Sequence, residues 1–488
     1  MLYCLVCKLC LDFVPLLLTP GDSMLLRSSL SLFAVSPPLW SSLIQIGCAR
    51  CIKLIRKDLM APLAGELRTM KISNDLFKSI ITPEMKILEE LFRRNNFELR
   101  IAGGAVRDLL MNTIPHDLDF ATTATPDEMK RIFTDEDIRM INTNGEKHGT
   151  ITARINDKEN FEVTTLRIDV ITDGRHAEVQ FTTDWQTDAN RRDLTVNAMF
   201  LSLDGVVYDY FKGIEHIKQR KVLFVGDAAL RIQEDYLRIL RYFRFYGRLA
   251  LNENSHDPDT LEAIRLNTNG LEGVSGERLS VEFRKILEGP LYCPLICLMY
   301  ELSVTPYLGL PKTPDLAEFR KVCQQSENLQ PAVMTRLAGL LHSKDDVLAV
   351  HGRLRLSNAE RNLLLFLVRY RPEAPKGSTD DDLRFCQTLQ FTCDIKGGSM
   401  TEVWYWTEEL LKYHGNKDLL QKFREWKLPR FPVTGHKLIE LGIQKGPKVG
   451  WVMTRMRQIW FDSSFLLNEE QLLSKLGEIL QEVPPKRK

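Results

Sequence analysis

The chain has 488 residues, 44% of them hydrophobic and 26% charged, with a formal net charge of +1. That length allows about two to four domains around a sizeable core, and the near-neutral balance excludes binding of nucleic acid by bulk basicity, so any polyanion site must come from local arginine and lysine clusters. No apolar run reaches roughly 18 residues, so no transmembrane helix and no membrane partner is expected.

Residues 1–57 differ in composition from the rest. No acidic residue occurs between Asp22 and Asp58, while Arg27, Arg50, Lys53, Arg56 and Lys57 are basic and serines are frequent. A basic, serine-rich, acid-poor stretch has the character of a mitochondrial transit peptide; a disordered extension is the plainer alternative. Met24, Met60 and Met70 offer shorter starts, so a mitochondrial form and a shorter cytoplasmic or nuclear form are expected. Five of the ten cysteines fall here (Cys4, Cys7, Cys10, Cys48 and Cys51). Cys48 and Cys51 form a CxxC, but no second pair follows at zinc-site spacing, and a reduced compartment is the better reading.

From about 71 to 212 short β-rich runs (ELRIAGG, GTITARI, FEVTTLRI, AEVQFTT) alternate with polar turns, which predicts a small β-sheet with flanking helices. Within it IAGGAVRDLL joins a strand to a helix through Gly103 and Gly104. A glycine pair lets backbone approach an anion without Cβ interference, and Arg107 adds a charge-assisted fork. A plain strand–turn–helix explains the same residues. In HDLDF, Asp117 and Asp119 stand two apart, so on a strand both carboxylates share one face. Such proximity is unfavourable unless a divalent cation sits between them, or unless the pair lies on a solvated edge. Glu162, in a β-branched run expected to neighbour LDF, is the candidate third carboxylate. The segment TNGEKHGT (143–150) is either a loop near the site, with Glu146, Lys147 and His148 as contacts, or a surface turn.

ANRRDLTVNAMF (189–200) gathers Arg191, Arg192, Asp193 and Asn197 before an apolar run. Arg191 or Arg192 would meet a triphosphate and Asp193 a ribose hydroxyl; alternatively Asp193 caps a helix. Residues 227–250 show an unbroken helical pattern without proline, carrying Arg231, Arg238, Arg241, Arg244 and Arg248 on one stripe. The stripe faces either a strong anion or a line of carboxylates in an internal ladder. Asp235 accepts and Arg238 donates, a pattern that suits cytosine and adenine, each with an amine beside an unprotonated ring nitrogen. It rejects uracil and guanine, because a mismatched buried polar group costs about 1–3 kcal/mol. Beyond 213 the strand signal fades and helical periodicity runs to the end, with breaks near 289–294, 305–314 and 371–378.

GGAVRD (103–108), DLD (117–119), RRDLTVNA (191–198), EDYLR (234–238) and ERLSVEF (277–283), in that order, resemble the class II tRNA nucleotidyltransferases, the CCA-adding enzymes. The leader makes the resemblance one to the vertebrate mitochondrial type. It covers about 100–285 closely; the helical remainder is only compatible with it. The resemblance implies an α+β fold: a nucleotidyltransferase-type head (71–212) after a leader and linker (1–70), then an all-α neck (213–288) and a body and tail that bind tRNA (289–488). It implies template-independent addition of C, C and A to tRNA from CTP and ATP, by two-metal transfer with release of pyrophosphate. Asp117 and Asp119 would hold Mg²⁺, with Glu162 as a further catalytic carboxylate. Gly103, Gly104, Arg107, Arg191, Arg192, Asp193 and Asn197 would contact nucleotide, and Asp235, Arg238, Arg241 and Arg244 would read the base and support the phosphates. Glu277 and Arg278 would brace the neck helix. A poly(A) polymerase of the same superfamily and a non-catalytic RNA-binding protein with a decayed head are the alternatives. Monomer and homodimer both remain open.

Overall fold

The computed structural model describes residues 66–142, 145–172, 177–396 and 399–482. The basic leader, Met24, Met60 and the Cys48–Cys51 pair lie outside them, as do two residues of the 143–150 segment.

Among the described residues, ten strands form a sheet and a ribbon. The eight-stranded sheet has the order β1-β10-β9-β2-β3-β6-β5-β4, and β7 and β8 make a separate two-stranded ribbon. The strands are β1 (Arg68–Lys71), β2 (Leu99–Ala102), β3 (Asp119–Thr122), β4 (Arg139–Asn142), β5 (Thr150–Ile155), β6 (Glu159–Thr165), β7 (Arg167–Thr172), β8 (Ala177–Phe181), β9 (Met199–Leu201) and β10 (Val206–Asp209). Neighbours pair antiparallel except β3 with β6, which run parallel. Three expectations need correction. Arg68–Met70, assigned to the linker, form with Lys71 an edge strand on β10; RTMK shows no alternation, and only the pairing makes it a strand. FEVTTLRI is two strands, broken at Leu166, whose N–H turns to Thr122 O at 2.9 Å. Asp117 precedes β3 rather than lying in it.

Helices cover the sheet for reasons visible in their ends and faces. α1 spans Asp75–Ile80. In α2 (Pro83–Arg94), Thr82 accepts from Met85 N and Pro83 opens the first turn, and Met85, Leu88, Leu91 and Phe92 are buried at helical spacing. α3 (Gly104–Leu110) follows β2, and α4 (Pro126–Asp135) starts on a capping box between Thr125 and Glu128. α5 (Trp185–Asn190) is capped by Asp184, and α6 (Gly213–Lys218) follows β10.

The pattern at 227–250 is not one helix. α7 (Ala228–Glu234) ends at Asp235, which adopts extended backbone with φ −152°. Its Oδ1 then accepts from Leu237 N at 3.2 Å and its carbonyl from Arg238 N at 3.0 Å, so Asp235 ends one helix and starts α8 (Arg238–Leu249). Periodicity cannot see this break, because the apolar residues stay in phase across it. α8 is held by buried Ile239, Leu240, Tyr242, Phe243, Phe245 and Tyr246, far too much apolar surface for a peripheral helix. α9 (Pro258–Asn267) packs on α7, and α10 (Gly276–Glu288) packs on α8. Gly276 is needed for close approach: a Cβ there would stand 2.1 Å from Arg353 O. Helices continue to Gln481, and 431–480 carry their own apolar cluster around Val452, Met456 and Trp460. No helix among the described residues is long and apolar enough to cross a membrane.

Candidate active site

One cleft of about 1070 Å³ brings together residues from the sheet, α5, α8 and α10. Gly103, Gly104, Arg107, Asp117, Asp119, Glu162, Arg191, Arg192, Asp193, Asn197, Asp235, Arg238, Arg241 and Arg244 all line it. The residues singled out above are therefore neighbours in space. Their partners are less expected.

Gly103 follows β2 at φ +69°, in the left-handed region, and a Cβ there would stand 2.8 Å from Arg192 Nη1. The first glycine is thus fixed by both backbone and space. Arg107 is only 4% exposed. Its Nη1 donates to Asn197 Oδ1 at 2.7 Å, and its Nε and Nη2 donate to Asp108 Oδ1 at 2.9 and 2.7 Å. That guanidinium is a brace between α3 and the turn after α5, rather than an open fork.

Asp119 opens β3 and is the register partner of Glu162 on parallel β6. Its carboxyl is held above the usual carboxylate range by desolvation first, then by the charges of Glu162 and Asp117, with Arg192 opposing. Asp117 is exposed and its Oδ1 lies 3.0 Å from His116 Nδ1. Among the described residues no three acidic, histidine or cysteine side chains already converge on a metal position. The donor chemistry nevertheless suits a hard divalent cation: the acidic side chains here offer carboxylate oxygens, and their mutual repulsion is what such an ion relieves.

Sequence reading missed the residue that organises the basic segment. Asp188 on α5 is 1% exposed. Its Oδ1 accepts from Arg191 Nη2 at 2.7 Å and Arg167 N at 3.2 Å, and its Oδ2 from Arg192 Nη2 at 3.1 Å. Burial alone would raise this carboxyl, but Arg191 and Arg192 overcome that and hold it below the usual range. The signal was available, since Asp188 stands at i,i+3 and i,i+4 from the two arginines. Asp193, 7% exposed, does not cap a long helix. Its Oδ1 accepts from Leu194 N at 2.8 Å and its Oδ2 from Arg241 Nε at 2.5 Å. Despite burial, Arg241 keeps that carboxyl below the ordinary range.

The arginine stripe is, in this state, mostly a ladder. Arg238 pairs with Glu234 and donates to Arg231 O and Arg191 O, both at 2.9 Å. Arg241 meets Asp193, and Arg244 Nη1 meets Glu282 Oε1 at 3.0 Å. Arg231 belongs to α7 and pairs with Glu234 at 2.9 Å. Asp235 Oδ2 accepts from Arg278 Nη2 at 2.6 Å. From ERLSVEF, Arg278 thus meets Asp235, and Glu282, only 5% exposed, takes Arg244, while Glu277 is exposed. Phe245 lies under three guanidiniums, those of Arg107, Arg241 and Arg244, at 4.8, 5.4 and 4.9 Å. In the 143–150 segment, Glu146 pairs with Lys130, and neither it nor Lys147 or His148 lines the cleft.

Residues 99–223 match the family model described as the poly A polymerase head domain, and 256–316 one described as a probable RNA and SrmB- binding site of polymerase A. The chain is 52% identical over 412 residues to the mitochondrial CCA tRNA nucleotidyltransferase 1 of Danio rerio, across 84% of this chain and 94% of that protein. The Homo sapiens protein of the same name is 51% identical, across 84% and 93%. Among solved structures, the CCA-adding enzyme of Bacillus stearothermophilus in complex with CTP superposes with a TM-score of 0.63 at 25% identity, covering 84% of this chain and 98% of that one.

Proposed function

We propose the chemistry below for a chain that belongs to the CCA tRNA nucleotidyltransferase family. It is an enzyme that adds C, C and A to the 3′ end of tRNA from CTP and ATP, and no nucleic-acid template is required. One observation carries the residue-level reading: the Asp119–Glu162 carboxylates and the Asp235–Arg238 pair open into the same cleft. A metal-type phosphoryl-transfer centre and a hydrogen-bonding base reader are thereby within reach of a single nucleotide.

In each cycle the terminal 3′-oxygen of the RNA bonds to the α-phosphorus of the incoming nucleotide. The bond to the β-phosphate oxygen breaks and pyrophosphate leaves. Asp117, Asp119 and Glu162 would hold divalent cations, which we read as Mg²⁺. When bound, such ions neutralise charge on the reacting phosphate and favour the ionised hydroxyl. The chain's own contribution is positioning and fixed charge. Gly103 lets the nucleotide approach the backbone, and Arg192, held beside it by Asp188, faces the phosphates. Asp193, set by Arg241, is the ribose acceptor.

Asp235 and Arg238 read the base. Arg278 aims the carboxylate, which keeps lone pairs for an exocyclic amine. Glu234 and two carbonyls aim the guanidinium, which uses part of its five donors and keeps others for a ring nitrogen. Cytosine and adenine satisfy both groups; uracil and guanine oppose them. Arg107, Asn197, Arg244 and Glu282 position the elements that carry these groups.

Along the chain we assign a leader ending before Arg68, a head to 212, a neck to 288, and a body and tail that hold tRNA. Relatives of this chain are named mitochondrial, and we assign it to the same compartment, with shorter starts giving cytoplasmic or nuclear forms. The test offers purified protein and Mg²⁺ a tRNA lacking its 3′ end, with each nucleotide singly and in pairs. CTP alone should enter twice, and ATP only after it. Open-ended addition of A would replace this reading with poly(A) synthesis, and no incorporation would favour a non-catalytic RNA-binding protein.

A further inference from the structure

Resting on the reading above, the packing of α8 on α10 carries one more assignment. The ion pairs between these segments follow the same order along both: Asp235 with Arg278 just before α8, then Arg244 with Glu282. Both partners advance along their chains together, so the helices run side by side in the same sense. One turn further, at i+4 from Arg244 and i+3 from Glu282, stand Arg248 and Lys285. At this rung both members are cations. Both are exposed and line the cleft, and no carboxylate among the described residues lies within ion-pair distance of either. The other arginines drawn from α8 and its approach have an acidic partner. Buried Arg107 feels Arg248 and Arg244 as like charges, so this end of the cleft is electropositive beyond what its acids offset. Two unpaired cations on adjoining helices invite an anion.

The position says which anion. The incoming nucleotide spans from the base readers, Asp235 and Arg238, to Asp119. Arg248 stands about 15 Å along α8 from Arg238 at a rise of roughly 1.5 Å per residue. A cleft of about 1070 Å³ is at the upper limit for a single small ligand, roughly 300–1,000 Å³, so it has room for more than the nucleotide. We infer that Arg248 and Lys285 form a subsite for the backbone phosphates of the tRNA 3′ strand, holding the primer end in the cleft.

The full-length protein tests this with Arg248→Gln, Lys285→Gln, the double variant and the charge-keeping Arg248→Lys. KM for tRNA ending in CC is measured at saturating ATP, KM for ATP at saturating tRNA, and tRNA affinity across a salt series. The double variant should raise the tRNA KM about tenfold, as loss of charged hydrogen bonds does, with the ATP KM within about twofold. The log–log salt slope of tRNA binding should shrink by about 0.7 per cation removed, and Arg248→Lys should keep most of the affinity. A rise confined to the ATP KM would assign the pair to the triphosphate and overturn the inference, as would no change in either constant. If the unaltered protein fails to extend tRNA, the functional reading falls, while the salt slope still tests the phosphate subsite.

Discussion

Asp119 and Glu162 are register partners across a parallel pairing, β3 with β6. A parallel neighbour puts equivalent positions side by side on the same face, so two strand carboxylates meet at the edge of the cleft. Their repulsion, on top of desolvation, holds the Asp119 carboxyl above its ordinary range. The site is therefore poised for a cation and costs the protein stability without one.

Asp119→Asn should abolish nucleotide incorporation while leaving tRNA binding within about twofold. It should also raise the melting temperature at neutral pH. A raised carboxyl pKa means the folded state resists ionisation, so the charge destabilises it above the unfolded pKa of about 3.9, and the penalty fades below that. The stability gained by the Asp119→Asn variant should accordingly vanish near pH 4. Thermal melts of both proteins across pH, without divalent ions, check this.

Asp188→Ala should be among the most destabilising changes in the head. It strands two guanidiniums that the carboxylate holds, and breaking a buried pair in this way costs about 3–5 kcal/mol. Its depressed pKa adds stability above about pH 4 that is lost as pH falls through the still lower folded value. Denaturant unfolding measures the loss. Asp188→Asn, if it folds, should raise the KM for nucleotide because Arg192 is no longer aimed.

Arg238→Ala should blur discrimination of CTP and ATP against UTP, by about 10-fold or more for loss of a charged hydrogen bond. Glu234→Gln, which removes only the partner that aims Arg238, should show a smaller effect of the same kind. Ratios of kcat/KM for the three nucleotides on one tRNA decide it. Unchanged ratios in Arg238→Ala would remove this residue from base reading.

His256 carries a prediction for the neck. It stacks on Tyr246 at 3.6 Å between ring centres, and its Nδ1 lies 2.7 Å from Tyr242 Oη. Burial lowers its pKa to about 4. Between about pH 6.5 and that value the unfolded chain takes up a proton the folded one refuses, so stability should fall as pH drops through this window. His256→Gln should flatten that part of the curve.

Much of this site was legible before the fold was known. The motifs carry residue types whose chemistry is restrictive, and Glu162 was reachable because a β-branched run must pair with something. What the sequence hid were the partners. Asp188, Glu234 and Glu282 look like ordinary helical carboxylates until packing places arginines against them, and Arg107 looks like a phosphate fork until Asn197 fills it. The break at Asp235 was hidden for another reason: apolar periodicity continues in phase through it, and the bonds from Leu237 N and Arg238 N to Asp235 mark the restart. Arg68–Lys71 became a strand through its neighbour, with no pattern of its own.

One cleft, reading bases with protein side chains, should build a defined three-nucleotide end. This is tested most directly by sequencing the 3′ ends formed on a truncated tRNA when all four nucleotides are present together. The ends formed should be C, CC and CCA, converging on CCA and stopping there. Ends carrying U or G at these positions, or A tails of increasing length, would contradict it.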